Sequence, residues 1–170
     1  MARNERKGGL LGIRFEVYVN YIFRKQGATL ERRRLNEAPE AYTKDYTIPI
    51  GLKVVEFKGL NELSIHEEEA KLYIPGKNFP CVDFILSPNT WLQITTTEDH
   101  GIPHEPAKKL LQKMPKGKIQ LYFLVPDDIY KTFPLQTYRA TGGNKIQHVS
   151  PELEERVEQW ALRMPMSLED

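Results

Sequence analysis

A mixed α/β domain is expected from three features of this 170-residue chain. Apolar residues recur with helical spacing over 11–27, two short apolar segments flank a polar turn at 87–90, and a nearly unbroken run of β-forming residues fills 118–125. Helix, strands, helix, strand and helix follow one another without internal repeat or low-complexity segment. That order implies one domain over 1–170, a mixed sheet with helices packed against it.

Residues 1–9 read as a flexible polar lead-in. Leu11, Phe15, Val19 and Ile22 then make a helical stripe, widened by Tyr18 and Phe23 and stopped at Gly27, with Glu16 one step off it at the edge of the core. A strand is expected over 28–35, ending in Arg32, Arg33 and Arg34, and a loop over 36–46. Extended segments are expected at 47–50 and 52–57. Residues 62–72 are ambiguous, because the HEEEA centre favours helix but shows no apolar face.

The central stretch, 78–100, reads as a hairpin whose turn is Ser87-Pro88-Asn89-Thr90. Alternation puts Trp91, Gln93 and Thr95 on one face and Leu92 and Ile94 on the other. A helix follows from Glu105 or Pro106, buried through Ala107, Leu110, Leu111 and Met114 and ended by Pro115 and Gly117. The 118–125 strand is covered on both faces, Pro126-Asp127-Asp128 opens a helical turn, and 135–140 and 145–149 flank a Gly142-Gly143 turn. The final element is expected to be a helix: Ser150 caps it, Pro151 lies in its first turn, and Leu153, Val157, Trp160, Ala161 and Met164 form its stripe.

The composition, 40% hydrophobic and 28% charged, is that of a globular protein, and no segment approaches the roughly 18 consecutive apolar residues of a membrane span. The opening MARNERKGG lacks the apolar core of a secretory signal. With one cysteine, Cys81, neither an internal disulfide nor a cysteine-rich zinc site can form, and an intracellular, reducing compartment is expected. In its apolar segment Cys81 reads as a small buried hydrophobe. The net charge of +1 conceals polarity: residues 1–34 carry nine basic groups against three acidic ones, and residues 150–170 carry six acidic groups against two basic ones. Such a distribution allows a nucleic-acid face at one end.

The residue out of place is Asp83, a carboxylate inside CVDFIL, because burying an ionised group is costly unless it is paired or bound to a metal. Glu16, Asp83 and Gln93 are a candidate oxygen set for a magnesium-type ion, since a short turn brings positions 83 and 93 together. Such an ion activates water and neutralises charge on a phosphodiester. Arg32, Arg33 and Arg34 alternate in direction when extended, so at most two can meet adjacent phosphates, and Thr96 and Thr97 add hydroxyls. Lys108 and Lys109 open the following helix and could reach toward the site. His66, His104 and His148 have no evident partner. The chain has no GxSxG elbow, which disfavours serine-nucleophile chemistry, and no GxxxxGK[ST] loop, which excludes nucleotide binding by a P-loop.

Taken together, GIRFEVYVNYIFRKQGATLERRRL, NFPCVDFILSP, LQITTTEDHGIP, KIQLYFLVP and VEQWALRMP resemble, in this order, the C-terminal domain shared by Crinkler effectors and retrotransposon-hot-spot (RHS) proteins. The resemblance spans most of the chain, with residues 36–74 matching least. It implies a restriction-endonuclease-like PD-(D/E)xK fold, an α/β architecture with a mixed β-sheet flanked by helices, and metal-dependent, sequence-tolerant hydrolysis of DNA with Mg or Mn. By the same resemblance Glu16 matches the helix acid, Asp83 the metal-binding aspartate, and His100 the histidine after the QxT motif. Gln93 and Thr95 stand where the parent nucleases carry an acid and a lysine; glutamine brings no charge and threonine no cation. The resemblance further implies a nuclear location, a nucleic-acid partner and, in longer relatives, an attached NTPase domain or other protein partner. Two other readings stand beside it: a non-catalytic binding module of the same fold, and an Asp83 that merely pairs with an arginine to hold the hairpin.

Overall fold

The computed structural model describes residues 2–35, 43–66 and 69–166, with backbone alone for 2–11 and for Thr43. Helix α1, Ala2–Tyr21, continues into a π-helical turn, Ile22–Gln26. The expected lead-in is therefore helical from Ala2. Phe15, Val19, Ile22 and Phe23 are buried as the stripe requires, while the Leu11 side chain lies outside the description. Gly27 ends the helix at φ +65°, its N–H donating to the Ile22 carbonyl, and a Cβ there would stand 2.8 Å from the Ile48 carbonyl oxygen.

Eight strands build one sheet: β1 Ala28–Arg34, β2 Thr43–Ile48, β3 Lys53–Phe57, β4 Lys71–Pro75, β5 Phe84–Leu86, β6 Thr90–Ile94, β8 Ile119–Pro126 and β10 Val157–Met164, in the spatial order β2-β1-β10-β8-β6-β5-β4-β3. β10, β8 and β6 run parallel at the centre, flanked by antiparallel β1–β2 on one side and β5–β4 on the other, with β3 parallel to β4 at the edge. A second, two-stranded sheet pairs β7 (Ile102–Pro103) with β9 (Tyr138–Arg139). The expected mixed α/β architecture is what the chain adopts.

α1 covers one face of the sheet, meeting Leu72, Phe84, Leu92 and Leu124. The other face, with Ile85, Trp91, Phe123 and Ala161, lies under α2 (His104–Leu111) and α4 (Pro151–Arg156) through Leu110, Leu111 and Leu153. A short α3, Asp127–Tyr130, follows β8 directly. Both predicted faces of β6 hold, since Trp91 joins one core and Leu92 and Ile94 the other.

Other expectations change. The final helix stops at Arg156, and Val157–Met164 is a strand paired with β8 through all eight residues. Val157 and Ala161 enter one core while Trp160, Leu162 and Met164 enter the other, so a segment apolar on both faces satisfies a central strand as well as a helical stripe. Pro151 sits in the first turn as expected, but the Ser150 hydroxyl makes no cap bond. The loop expected over 36–46 gives way to strand at Thr43, residues 36–42 lying outside the description. Around the HEEEA stretch only a 3-10 turn, Leu60–Glu62, forms before β4; residues 67–68 lie outside the description. His104 gains a partner unforeseen in sequence, its Nε2 accepting the Ser150 N–H at 3.0 Å and tying α2 to α4.

Candidate active site

Asp83 precedes β5 by one residue, and its N–H donates to the Leu92 carbonyl at 2.8 Å, which extends the hairpin pairing by one step. Its half-buried carboxylate accepts two hydrogen bonds on Oδ2, from the Ile94 backbone N–H at 2.7 Å and from Gln93 Nε2 at 3.1 Å. Oδ1 has no hydrogen bond among the described residues. The α1 helix crosses this end of the sheet and presents Glu16 to the same cavity, of about 350 Å³. Burial pushes the Asp83 carboxyl up to about 6; the Ile94 N–H opposes this and the nearby Glu16 charge adds to it.

No arginine pairs with Asp83 among the described residues, so the reading in which an arginine locks it in place is not what the fold adopts. The site is instead two carboxylates brought together from elements far apart in sequence, with Lys77 and Asn78 of the loop after β4 lining the same cavity. It lies at the carboxyl ends of β6 and β8, where open α/β sheets tend to bind ligands.

The remaining candidates divide. Gln93 is adjacent as expected, but its Nε2 is directed at Asp83, so it orients the carboxylate by donation instead of offering it a neighbouring oxygen ligand. Thr95 is buried, its hydroxyl exchanging hydrogen bonds with the Thr97 backbone at 3.1 and 3.2 Å; its role is to shape the loop after β6. Thr95, Thr96, Thr97 and His100 line a second cavity, of about 380 Å³, that also contains Glu16. His100 is fixed through its backbone: its N–H and that of Gly101 both donate to Gln136 Oε1, at 2.8 and 3.0 Å. Its ring stands edge-on to Phe123 at 6.2 Å, and partial burial lowers its pKa against the opposing Asp99 charge, favouring the neutral, proton-accepting form.

Arg32, Arg33 and Arg34 do not form a phosphate-binding run. Arg33 is buried on the α2 side of the sheet, where its guanidinium donates to the Tyr130 and Phe133 carbonyls at 2.8 and 2.7 Å. On the opposite face Arg32 lies over the Trp160 ring at 4.4 Å and donates to the Tyr122 hydroxyl, while Arg34 approaches Glu158 at 3.5 Å. Alternation along β1 was correctly read, but these cations are engaged within the fold. Lys108 and Lys109 line neither carboxylate cavity, and Lys108 approaches Glu105 at 3.7 Å. Burial pushes the Cys81 thiol up to about 12, which suits an inert side chain.

Sequence reasoning missed Lys77 and Gln136. Lys77 sits in a Pro75-Gly76-Lys77-Asn78 turn just before the hairpin, a turn signal without any chemical signature. Gln136 is buried, and its side chain reaches the His100 loop from 36 residues away.

Glu16 and Asp83 fit a hard divalent cation: a like-charged pair on one cavity, one member half-buried, with no basic group paired to either among the described residues. The described residues hold no group of three or more histidine, cysteine or acidic side chains placed to bind a metal, so further ligands would be carbonyl oxygens, with Asn20 and Asn78 lining the cavity, and water. No helix among them is long and apolar enough to cross a membrane. Comparison with protein-family models, with curated proteins and with solved structures finds no match to this chain.

Proposed function

We propose that this chain is a metal-dependent, sequence-tolerant nuclease that hydrolyses DNA phosphodiesters, of the Crinkler/RHS kind and PD-(D/E)xK architecture that its motifs resemble. The observation that carries the reading is the convergence of Glu16 and Asp83 on one cavity, with a carboxyl pKa pushed up to about 6 and no cationic partner among the described residues. A bare carboxylate pair of this kind is stabilised by the charge of a cation.

Glu16 and Asp83 would hold Mg or Mn. When bound, the ion supplies charge neutralisation at the phosphate and lowers the pKa of water. The Ile94 N–H and Gln93 Nε2 orient Asp83 and leave its Oδ1 available. His100, held toward its neutral form by burial and lining the Glu16 cavity, accepts a proton from the attacking water. Thr96 and Thr97 offer polar contacts to phosphate oxygens from the same wall.

The test is cleavage of plasmid and single-stranded DNA with Mg or Mn. Wild type is expected to cut, Asp83→Ala to lose at least 100-fold in rate, on the order of the change for removal of a principal charge-stabilising group. Equal cleavage by wild type and Asp83→Ala refutes the proposal. One observation favours a rival: the Gln93 amide and Thr95 hydroxyl, which replace the usual acid and lysine, are both engaged within the protein. A non-catalytic module that binds nucleic acid or protein predicts binding that survives both chelation and Asp83→Ala.

A further inference from the structure

We propose that a single nucleic-acid strand lies along a trough of three adjoining cavities, anchored through its phosphates by Lys77 at one end and Arg139 at the other. The inference rests on the nuclease reading and adds the path of the substrate and the two cations that hold it.

The three cavities are linked by shared walls. The Asp83 cavity and the threonine cavity share Glu16 and Ile94, and the threonine cavity shares His100 with a third, of about 400 Å³, lined by Gln93, Gly101 and Arg139. Gln93, which donates to Asp83, also lines the third cavity, so all three meet around the carboxylate, with Lys77 lining the first and Arg139 the third.

Charge supports the same path. An ion held by the two carboxylates would neutralise one phosphate only, so the neighbouring phosphates of the strand need positive charge of their own. Lys77 is exposed and makes no ion pair among the described residues. Arg139 is placed more firmly: one guanidinium nitrogen donates to the Gly143 carbonyl at 3.2 Å, and another meets Asp99 at 2.9 Å, a carboxylate whose side chain is 79% exposed. So exposed a partner contributes little and can be exchanged for a phosphate. The Arg139 stem lies across Gly101, where a Cβ would stand 2.9 Å from Arg139 Cδ; Gly101 also has φ +69°. A residue without a side chain here leaves room for the arginine to lie over the third cavity.

The test is binding of fluorescein-labelled single-stranded DNA to the full chain, followed by anisotropy across a salt series with calcium in place of magnesium. Lys77→Ala and Arg139→Gln are each expected to weaken binding about five- to tenfold and to reduce the salt slope by about one. Gly101→Ala, which keeps the charge but displaces the Arg139 stem, is expected to weaken binding too. Lys116→Ala, exposed at the opposite end of β8, is expected to bind as wild type does. Wild-type affinity in both Lys77→Ala and Arg139→Gln overturns the path, as does a wild type that binds no oligonucleotide. Cleavage by the same proteins separates the two claims. A wild type that cuts while both variants keep full affinity sinks the path alone. A wild type that binds through Lys77 and Arg139 yet cuts no faster than Asp83→Ala keeps the path and sinks the hydrolase.

Discussion

Replacing Asp83 by asparagine should stabilise the protein, and by an amount that depends on pH. The carboxyl is raised from 3.8 to about 6 by burial, with Glu16 adding to the effect. A folded-state pKa above the unfolded one means that folding takes up a proton between the two values. The acid therefore costs nothing below about pH 4, its ionisation lowers stability progressively as pH rises through about 6, and the loss is constant above that. A shift of about two units corresponds to roughly 3 kcal/mol. Solvent in the open cavity and the two hydrogen bonds that asparagine reproduces only partly bring the expected gain to about 1–2 kcal/mol. Urea unfolding of wild type and Asp83→Asn at pH 4 and pH 7.5 measures it. The variant should match wild type at the lower pH and exceed it at the higher, and added magnesium should stabilise wild type at pH 7.5 but not the variant. A variant that is less stable at pH 7.5, or a difference that does not change with pH, would falsify the claim that Asp83 is an unpaired, desolvated carboxylate.

Two further outcomes follow from the same contacts. Gln93→Ala removes the Nε2 donor from Asp83, so the Asp83 pKa should rise further; carboxyl ¹³C titration reads it, and an unchanged value contradicts the contact. Arg33→Met leaves the Tyr130 and Phe133 carbonyls without their buried donor and should cost about 2–4 kcal/mol in urea unfolding, while DNA affinity per folded molecule stays the same; a drop in that affinity would return Arg33 to the nucleic-acid surface.

Local pattern was enough to determine much of this chain. The α1 stripe of Phe15, Val19 and Ile22, the hairpin around Ser87-Pro88-Asn89, and the two-faced 118–125 strand were legible because each depends on the period of apolar residues and on turn chemistry. Asp83 was legible for the opposite reason, as the one residue that violated its apolar surroundings, and Glu16 because it sat just off a helical stripe. Tertiary structure decided the rest. Val157–Met164 has an apolar pattern that fits either a helix or a doubly buried strand, and only the vacant place between β8 and β1 selects the strand. Arg32, Arg33 and Arg34 looked free because nothing nearby in sequence pairs with them; Trp160, Tyr122 and the Tyr130 carbonyl reach them from about 90 to 130 residues away. Lys77, Gln136 and Arg139 were silent for a related reason. They sit in or beside connecting segments, where no periodicity constrains a side chain, and what they touch is set by how the ends of β4, β6 and β9 come together in space.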